Sequence, residues 1–93
     1  MKQLDNFLIL AENDPRLGLS HICLYLALWK KWTDGDYRVP LRVYRSDMIK
    51  LSKIDSPGVY HKIIRQLSAY GYINYIPSYN HFAASEIYFT NYE

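Results

Sequence analysis

Basic and amide side chains recur between residues 56 and 70 at a spacing that brings them to one side of a helix. The members of this set are Gly58, His61, Lys62, Arg65, Gln66 and Ala69. The set contains no carboxylate, and Gly58 and Ala69 are small enough to permit close approach. Lysine and arginine neutralise phosphates. Arg65 or Lys62 could also reach guanine acceptors, and Gln66 an adenine edge. This stretch is therefore suited to binding a polyanion, and nucleic acid is the first candidate.

The helix that would carry these side chains has its own start and stop signals. Ser56 can accept a hydrogen bond from the free N–H groups of a first turn, and Pro57 fits the first helical position. Gly71 suits the left-handed residue that closes a helix. The apolar residues recur at helical spacing and define a buried face, which consists of Tyr60, Ile63, Ile64 and Leu67. The sequence predicts a helix over 56–70 with a basic face directed outward.

The net charge of +2 is small, but the charges are unevenly distributed along the 93 residues. Residues 38–65 carry seven Lys or Arg and two Asp, whereas residues 1–37 carry four basic and five acidic residues. Residues 66–93 carry two Glu and no Lys or Arg. A basic centre in a nearly neutral chain favours an anionic partner. The alternative interpretation is a solvated surface, which lysine side chains commonly form.

Two helices are predicted before the basic centre. The inner face of the first, over 3–13, is predicted to hold Leu4, Phe7, Leu8 and Ala11. The second, Leu19 to Trp32, is apolar on nearly every side and should be covered by several neighbours. A homodimer formed through both helices would explain the excess of apolar surface. The single cysteine, Cys23, is expected to be a buried small hydrophobe, since one thiol makes no internal disulfide.

The remaining elements are short. An edge strand is predicted over 38–43 and a helix over 45–52, with Met48 and Leu51 directed inward. Lys53, Ile54 and Asp55 form a tight link to the helix over 56–70, and Ile54 should fill the corner. Strands over 72–76 and 86–90 form a hairpin, because both are rich in aromatic and β-branched residues.

The loop between these strands carries a second set of candidate DNA contacts, Asn80 and His81, which could reach the minor groove or the sugar edges. Their aromatic neighbours Tyr79 and Phe82 could equally fold back on the hairpin. The ten tyrosines would permit stacking on single strands, but no basic groove surrounds the hairpin. The three histidines are not at the spacing of metal ligands, so no metal or other cofactor is expected. No paired carboxylates or activated nucleophile points to an enzyme.

Two helices joined by a tight turn and followed by a hairpin fit a helix-turn-helix with a wing. The sequence resembles the winged helix-turn-helix family, and most resembles small regulator and replication-initiator domains of bacterial mobile elements and phages. The resemblance covers about residues 17–90. It is carried by residues 21–28, by Leu51-Ser52-Lys53-Ile54 leading into Tyr60-His61-Lys62, by residues 67–75 and by Pro77-Ser78-Tyr79-Asn80. Lys53 departs from the family, which often has glycine there, so the turn is expected to be strained or shifted. The hairpin also lacks the cation expected in a wing.

The resemblance implies one domain over 1–93, mainly α with a small antiparallel sheet, comprising four helices and a wing of two or three strands. The first helix occupies 3–13, the helix-turn-helix 45–70 and the wing hairpin 72–90. It also implies sequence-specific binding of double-stranded DNA, as a transcriptional or mobile-element regulator, with the helix over 56–70 in the major groove. The expected DNA contacts are Arg45, Lys53, Ser56, Gly58, His61, Lys62, Arg65, Gln66, Asn80 and His81. The alternative is a protein-interaction module, such as an adaptor in replication or phage assembly, without DNA binding. No signal peptide or membrane span is recognised and no small-molecule ligand is evident, so a cytoplasmic protein is expected.

Overall fold

Helices dominate the structure, a computed structural model that describes residues 2–78 and 83–90. The described chain forms helices α1 (Lys2–Glu12), α2 (Leu19–Asp34), α3 (Arg45–Ser52) and α4 (Pro57–Ala69). It also forms strands β1 (Leu41–Val43), β2 (Ile73–Ile76) and β3 (Ser85–Phe89). Four helices and a small antiparallel sheet in a winged-helix-like order confirm the predicted fold class. None of the described helices is long and apolar enough to cross a bilayer.

The predicted start and stop signals of α4 are confirmed. The Ser56 side chain accepts a hydrogen bond from the Val59 N–H at 3.4 Å, and Pro57 occupies the first helical position. Gly71 follows the helix with a φ of 89°, a left-handed conformation that glycine adopts without strain. The Tyr72 N–H then donates to the Leu67 carbonyl at 3.0 Å, which completes a Schellman closure. These local interactions set both ends of α4 and lead the chain directly into β2.

The turn between α3 and α4 is strained at the position where the resemblance indicated it. Lys53 adopts the left-handed conformation, with φ 63° and ψ 23°. Ile54 is 7% exposed and fills the corner, as predicted. The prediction for Leu51 is wrong, since this side chain is 38% exposed while its neighbour Ser52 is buried. The physical reason is that the Ser52 hydroxyl accepts a hydrogen bond from the Ile54 N–H at 3.4 Å and so has to face the turn.

The sheet has the strand order β1-β3-β2, and both pairings are antiparallel. Leu41 lies opposite Ile87, and Ile73 lies opposite Phe89. The first strand therefore adds to the hairpin as predicted, but it begins at Leu41 rather than at residue 38. Pro40 has no N–H to donate to the ladder, which ends the pairing there.

Helix α1 is held on the body of the domain by aromatic side chains. Phe7 stacks on Tyr25 with 3.5 Å between ring centroids, and it meets Tyr72 edge-on at 5.4 Å. The Gln3 amide donates to the Thr90 carbonyl at 2.8 Å, so α1 is also fastened to the end of β3. The inward prediction is confirmed for Phe7 and Ala11 and wrong for Leu8, which is 41% exposed. Leu8 lies about 100° around the helix from Phe7 and therefore falls on the flank of the buried face.

Candidate nucleic-acid interface

The basic face of α4 is directed away from the core. The opposite face is buried as predicted, with Tyr60, Ile63, Ile64 and Leu67 all at most 6% exposed. Gly58, Lys62, Arg65 and Ala69 are exposed, whereas His61 and Gln66 are half-buried on the two flanks. At 100° per residue, Lys62 and Arg65 lie on the same side of the helix. An outside partner therefore has access to both charged groups.

The cations whose side chains the structure describes fall into two classes. Four are neutralised in ion pairs, namely Arg16 with Asp14, Lys30 with Asp34, Lys31 with Asp47, and Arg42 with Glu86. Six are exposed and make no ion pair with any residue that the structure describes, namely Arg38, Arg45, Lys50, Lys53, Lys62 and Arg65. All but Arg38 belong to α3, the turn or α4. We call four of these, the predicted DNA contacts Arg45, Lys53, Lys62 and Arg65, the free-cation set. The positive charge that remains available is thus concentrated on the helix-turn-helix.

Arg45 lies near the start of α4 in the folded protein, although it belongs to α3. It is the first residue of α3, yet its charge acts on both Tyr60 and His61 in the first turns of α4. Arg65 also acts on His61, from one helical turn further along. The two guanidinium groups therefore flank His61 from different elements.

His61 contributes a polar ring rather than a charge to this surface. Burial, together with the charges of Arg45 and Arg65, lowers the pKa of His61 below its ordinary value of 6.5. The ring meets Tyr60 edge-on, with 5.3 Å between centroids. Its Nδ1 atom is buried and has no hydrogen-bond partner within the described residues. The imidazole is consequently neutral at pH 7 in the free protein.

Gln66 is held from inside the protein. Its Oε1 atom lies 2.7 Å from Nε2 of His21, a buried residue in the first turn of α2. The sequence reasoning assigned Gln66 to an adenine edge, which requires both the amide oxygen and the amide nitrogen. In the structure the oxygen is turned toward the buried His21 ring rather than toward an outside partner, so Gln66 is not oriented for that bidentate contact.

The N-terminal end of α4 presents Ser56 and Gly58, and both are exposed. The Ser56 oxygen is used to cap the helix, while its O–H remains a donor. Gly58 has no side chain to keep a partner from the first turn. Asn80 and His81, the candidate contacts in the hairpin loop, lie outside the described residues. Among residues 2–78 and 83–90, no group of three or more His, Cys, Asp or Glu side chains could hold a metal ion.

A second exposed surface is apolar and lies on α2. Leu19 is 78% exposed and Leu26 is 39% exposed. Ile22, Cys23 and Trp29 are half-buried beside them, so Cys23 is less enclosed than predicted. Leu19, Ile22, Leu26 and Trp29 follow one another at spacings of three and four, which is the pattern of a helix–helix seam. We call this surface the α2 stripe.

Sequence reasoning missed His21 as part of the interface. The available signal was weak: His21 stands three residues after Gly18, the position from which a side chain can reach back to the backbone before a helix. The structure shows that contact, with the Gly18 N–H donating to His21 Nδ1 at 3.0 Å. The partner on α4 is 45 residues away in the chain, and no local pattern predicts it.

The chain was also compared with known proteins. No family model, curated protein or solved structure matches it.

Proposed function

We propose that this protein binds double-stranded DNA in the manner of a winged helix-turn-helix domain, with α4 in the major groove. The observation that carries the proposal is the free-cation set. Its four members are exposed and lie on adjacent elements, while four cations outside the set are neutralised by carboxylates. Phosphate contacts supply most non-specific affinity for DNA, and a cluster of unpaired cations is what they require.

The roles of the individual cations follow from their positions. Lys62 and Arg65 project from the exposed face of α4, where a helix in the major groove meets the base edges. Arg65 is the better candidate for a base contact, because its guanidinium can donate two hydrogen bonds to guanine. Arg45, at the start of α3, and Lys53, in the turn before α4, lie outside the recognition helix, so we assign them to phosphates rather than to bases. At the first turn Gly58 offers a phosphate its backbone N–H and Ser56 its O–H, since Pro57 has no N–H and the Val59 N–H already donates to Ser56.

The proposal includes a homodimer, in which the α2 stripe of one copy packs against the α2 stripe of a second. A stripe with this spacing is complementary to itself under a two-fold rotation. Two copies related in this way would present two α4 helices to one duplex, as helix-turn-helix regulators do. The proposal extends to regulation of transcription or of a mobile element, in the cytoplasm, on the strength of the sequence resemblance alone.

Salt dependence tests DNA binding directly. Anisotropy titrations on a labelled random duplex between 50 and 200 mM salt should give a steep fall in affinity, roughly 0.9 log unit per log salt for each phosphate neutralised. Lys62→Ala and Arg65→Ala should each weaken binding by about tenfold and reduce the salt slope. Lys30→Ala is the matched control, since it removes one exposed lysine that is paired with Asp34 on α2. The proposal is rejected if folded protein binds no duplex at micromolar concentration, or if all three variants bind alike.

The dimer has a separate test. Leu26 and Leu51 are 39% and 38% exposed on different helices, which makes them a matched pair. Leu26→Glu should produce monomers in light scattering, because it places a charge in the seam, whereas Leu51→Glu should leave the assembly intact. A wild-type protein that is monomeric at high micromolar concentration would remove the dimer from the proposal.

A protein-interaction module is the second candidate function. The observation that favours it is the outer face of α1, where the apolar residues Leu8, Ile9 and Leu10 are 41%, 58% and 45% exposed. The absence of Lys and Arg after residue 65 favours it as well, since a wing without cations has little affinity for phosphates. Recovery of one stoichiometric protein partner, together with no affinity for DNA, would select this function over the first.

A further inference from the structure

A chain of two hydrogen bonds connects the start of α2 to the exposed part of α4. The Gly18 N–H donates to Nδ1 of His21 at 3.0 Å, and Nε2 of His21 lies 2.7 Å from Oε1 of Gln66. His21 is only 7% exposed, and its ring lies 6.2 Å from that of Tyr70. Arg16 covers the Tyr70 ring at 4.1 Å. The flank on which Gln66 lies is therefore built from α2, the preceding loop and the end of α4.

The first hydrogen bond, from the Gly18 N–H to His21, fixes the direction of the second, between His21 and Gln66. A backbone N–H can only donate, so Nδ1 of His21 must be the unprotonated nitrogen. The proton of the neutral ring is then on Nε2, which donates to Gln66. Because Nε2 donates, the amide of Gln66 must turn its oxygen toward the histidine. The amide nitrogen of Gln66, with two N–H donors, is left for a partner.

We propose that His21 is a positioning residue that makes Gln66 a donor-only contact to DNA, selective for guanine over adenine. This inference rests on the proposed function. In the major groove guanine presents two adjacent acceptors, N7 and O6, whereas adenine presents one acceptor beside the N6 donor. Because its oxygen is turned toward the buried His21 ring, the Gln66 amide presents its NH₂ group to a partner: it can donate to the guanine edge, but its oxygen is not placed to accept from adenine N6. The preference at one base pair is thus set by a residue on another helix.

The hydrogen-bond chain can be tested without DNA. Nitrogen NMR of the His21 imidazole at pH 7 should show a protonated Nε2 and an unprotonated Nδ1. In the Gln66→Glu variant the carboxylate still accepts from Nε2, so the same tautomer and an unchanged fold are expected. A ring protonated on Nδ1 in the wild-type protein would overturn the inference.

Selection of bound duplexes from a random pool tests the consequence. Wild-type protein should favour guanine over adenine by roughly tenfold at one position, which corresponds to one lost contact. Gln66→Glu keeps the link to His21 but removes both donors, so it should lose that preference. His21→Leu fills the space and frees the amide oxygen, so adenine should become as acceptable as guanine at the same position.

The outcomes separate this inference from the proposed function. If duplexes bind but His21→Leu leaves the base preference unchanged, the positioning role is wrong and DNA binding stands. If Gln66→Glu weakens all duplexes equally and keeps the base preference, the added carboxylate acts only by repelling phosphates and the inference of base selection is wrong. If no duplex binds any of the proteins, the proposed function fails and takes the base preference with it, even where NMR shows the expected tautomer.

Discussion

Replacing Lys53 by glycine should stabilise this protein, although it removes a side chain from the middle of the helix-turn-helix. Lys53 adopts a φ of 63°. A residue with a β-carbon pays about 1–2 kcal/mol in this conformation, and glycine does not. About 0.5–1 kcal/mol of that stabilisation is lost again, because glycine makes the unfolded chain more flexible and so raises its conformational entropy. The expected net gain in unfolding free energy is about 0.5–1 kcal/mol, or roughly 2–8 °C in Tm for a chain of this size.

Lys50 provides the matched control for this experiment. It is exposed like Lys53, but it lies in the last turn of α3 with regular helical geometry. Lys50→Gly should therefore lower the unfolding free energy by about 1 kcal/mol, the usual cost of glycine in a helix. Lys53→Ala removes the same charge but keeps the left-handed strain, so it should leave stability nearly unchanged.

Urea denaturation followed by circular dichroism would measure all three variants under the same conditions. The reasoning about the turn would be refuted if Lys53→Gly and Lys50→Gly lowered the unfolding free energy by similar amounts. If the DNA proposal is also correct, Lys53→Gly should bind duplex with a shallower salt dependence while melting at a higher temperature. A gain in stability with a loss of phosphate contact would distinguish a functional lysine from a structural one.

Two further predictions concern the ends of the helices. Hydrogen bonds, first from Arg16, hold the pKa of Asp14 well below its usual 3.8. The ionised carboxylate therefore stabilises the fold at pH values above the unfolded-state pKa. That stabilisation is lost as the pH falls through the lower pKa of the folded state. Asp14→Asn should therefore reduce Tm most at neutral pH, and progressively less as the pH falls below about 4. Asp34→Asn, in an exposed pair, should have little effect at any pH, and equal losses for both variants would contradict the assignment. Gly71→Ala should lower the unfolding free energy, measured by urea denaturation, by about 1–2 kcal/mol. The φ of 89° is the sole cause, since an added Cβ meets no atom within 4 Å, whereas Gly58→Ala should be neutral or stabilising. A Gly71 variant as stable as wild type would show that the closure of α4 tolerates a side chain.

The sequence predicted those parts of the fold that are determined locally. Ser56, Pro57 and Gly71 mark the ends of α4 because capping chemistry depends on residues within one turn of each other. The family resemblance predicts a strained or shifted turn at Lys53, and this residue adopts the left-handed conformation in the structure. The basic face of α4 was also predictable from the sequence, since helical spacing alone places Lys62 and Arg65 on the side opposite the core residues.

Contacts between distant residues were not predictable in the same way. The bond from His21 to Gln66 joins residues 45 positions apart, and the bond from Tyr72 to Asp14 joins residues 58 apart. Neither pair has a signature in sequence, because each depends on how whole helices are placed. Leu51 shows the same limit on a smaller scale: its apolar character predicted burial, but the hydrogen-bonding requirement of the adjacent turn placed Ser52 inside instead.

The central position of β3 has a consequence for how the chain folds. β3 follows β1 and β2 in the chain, yet it supplies the hydrogen-bond partners of both. A nascent chain that has emerged only as far as β2 can already pack α2, α3 and α4 against one another, but β1 has no neighbour to pair with. During synthesis the sheet therefore closes after the helices can meet, across the segment between Leu41 and Ile87 that contains α3, α4 and β2. Mutations that weaken β3 should consequently slow the last step of folding and leave an earlier, helix-rich state populated.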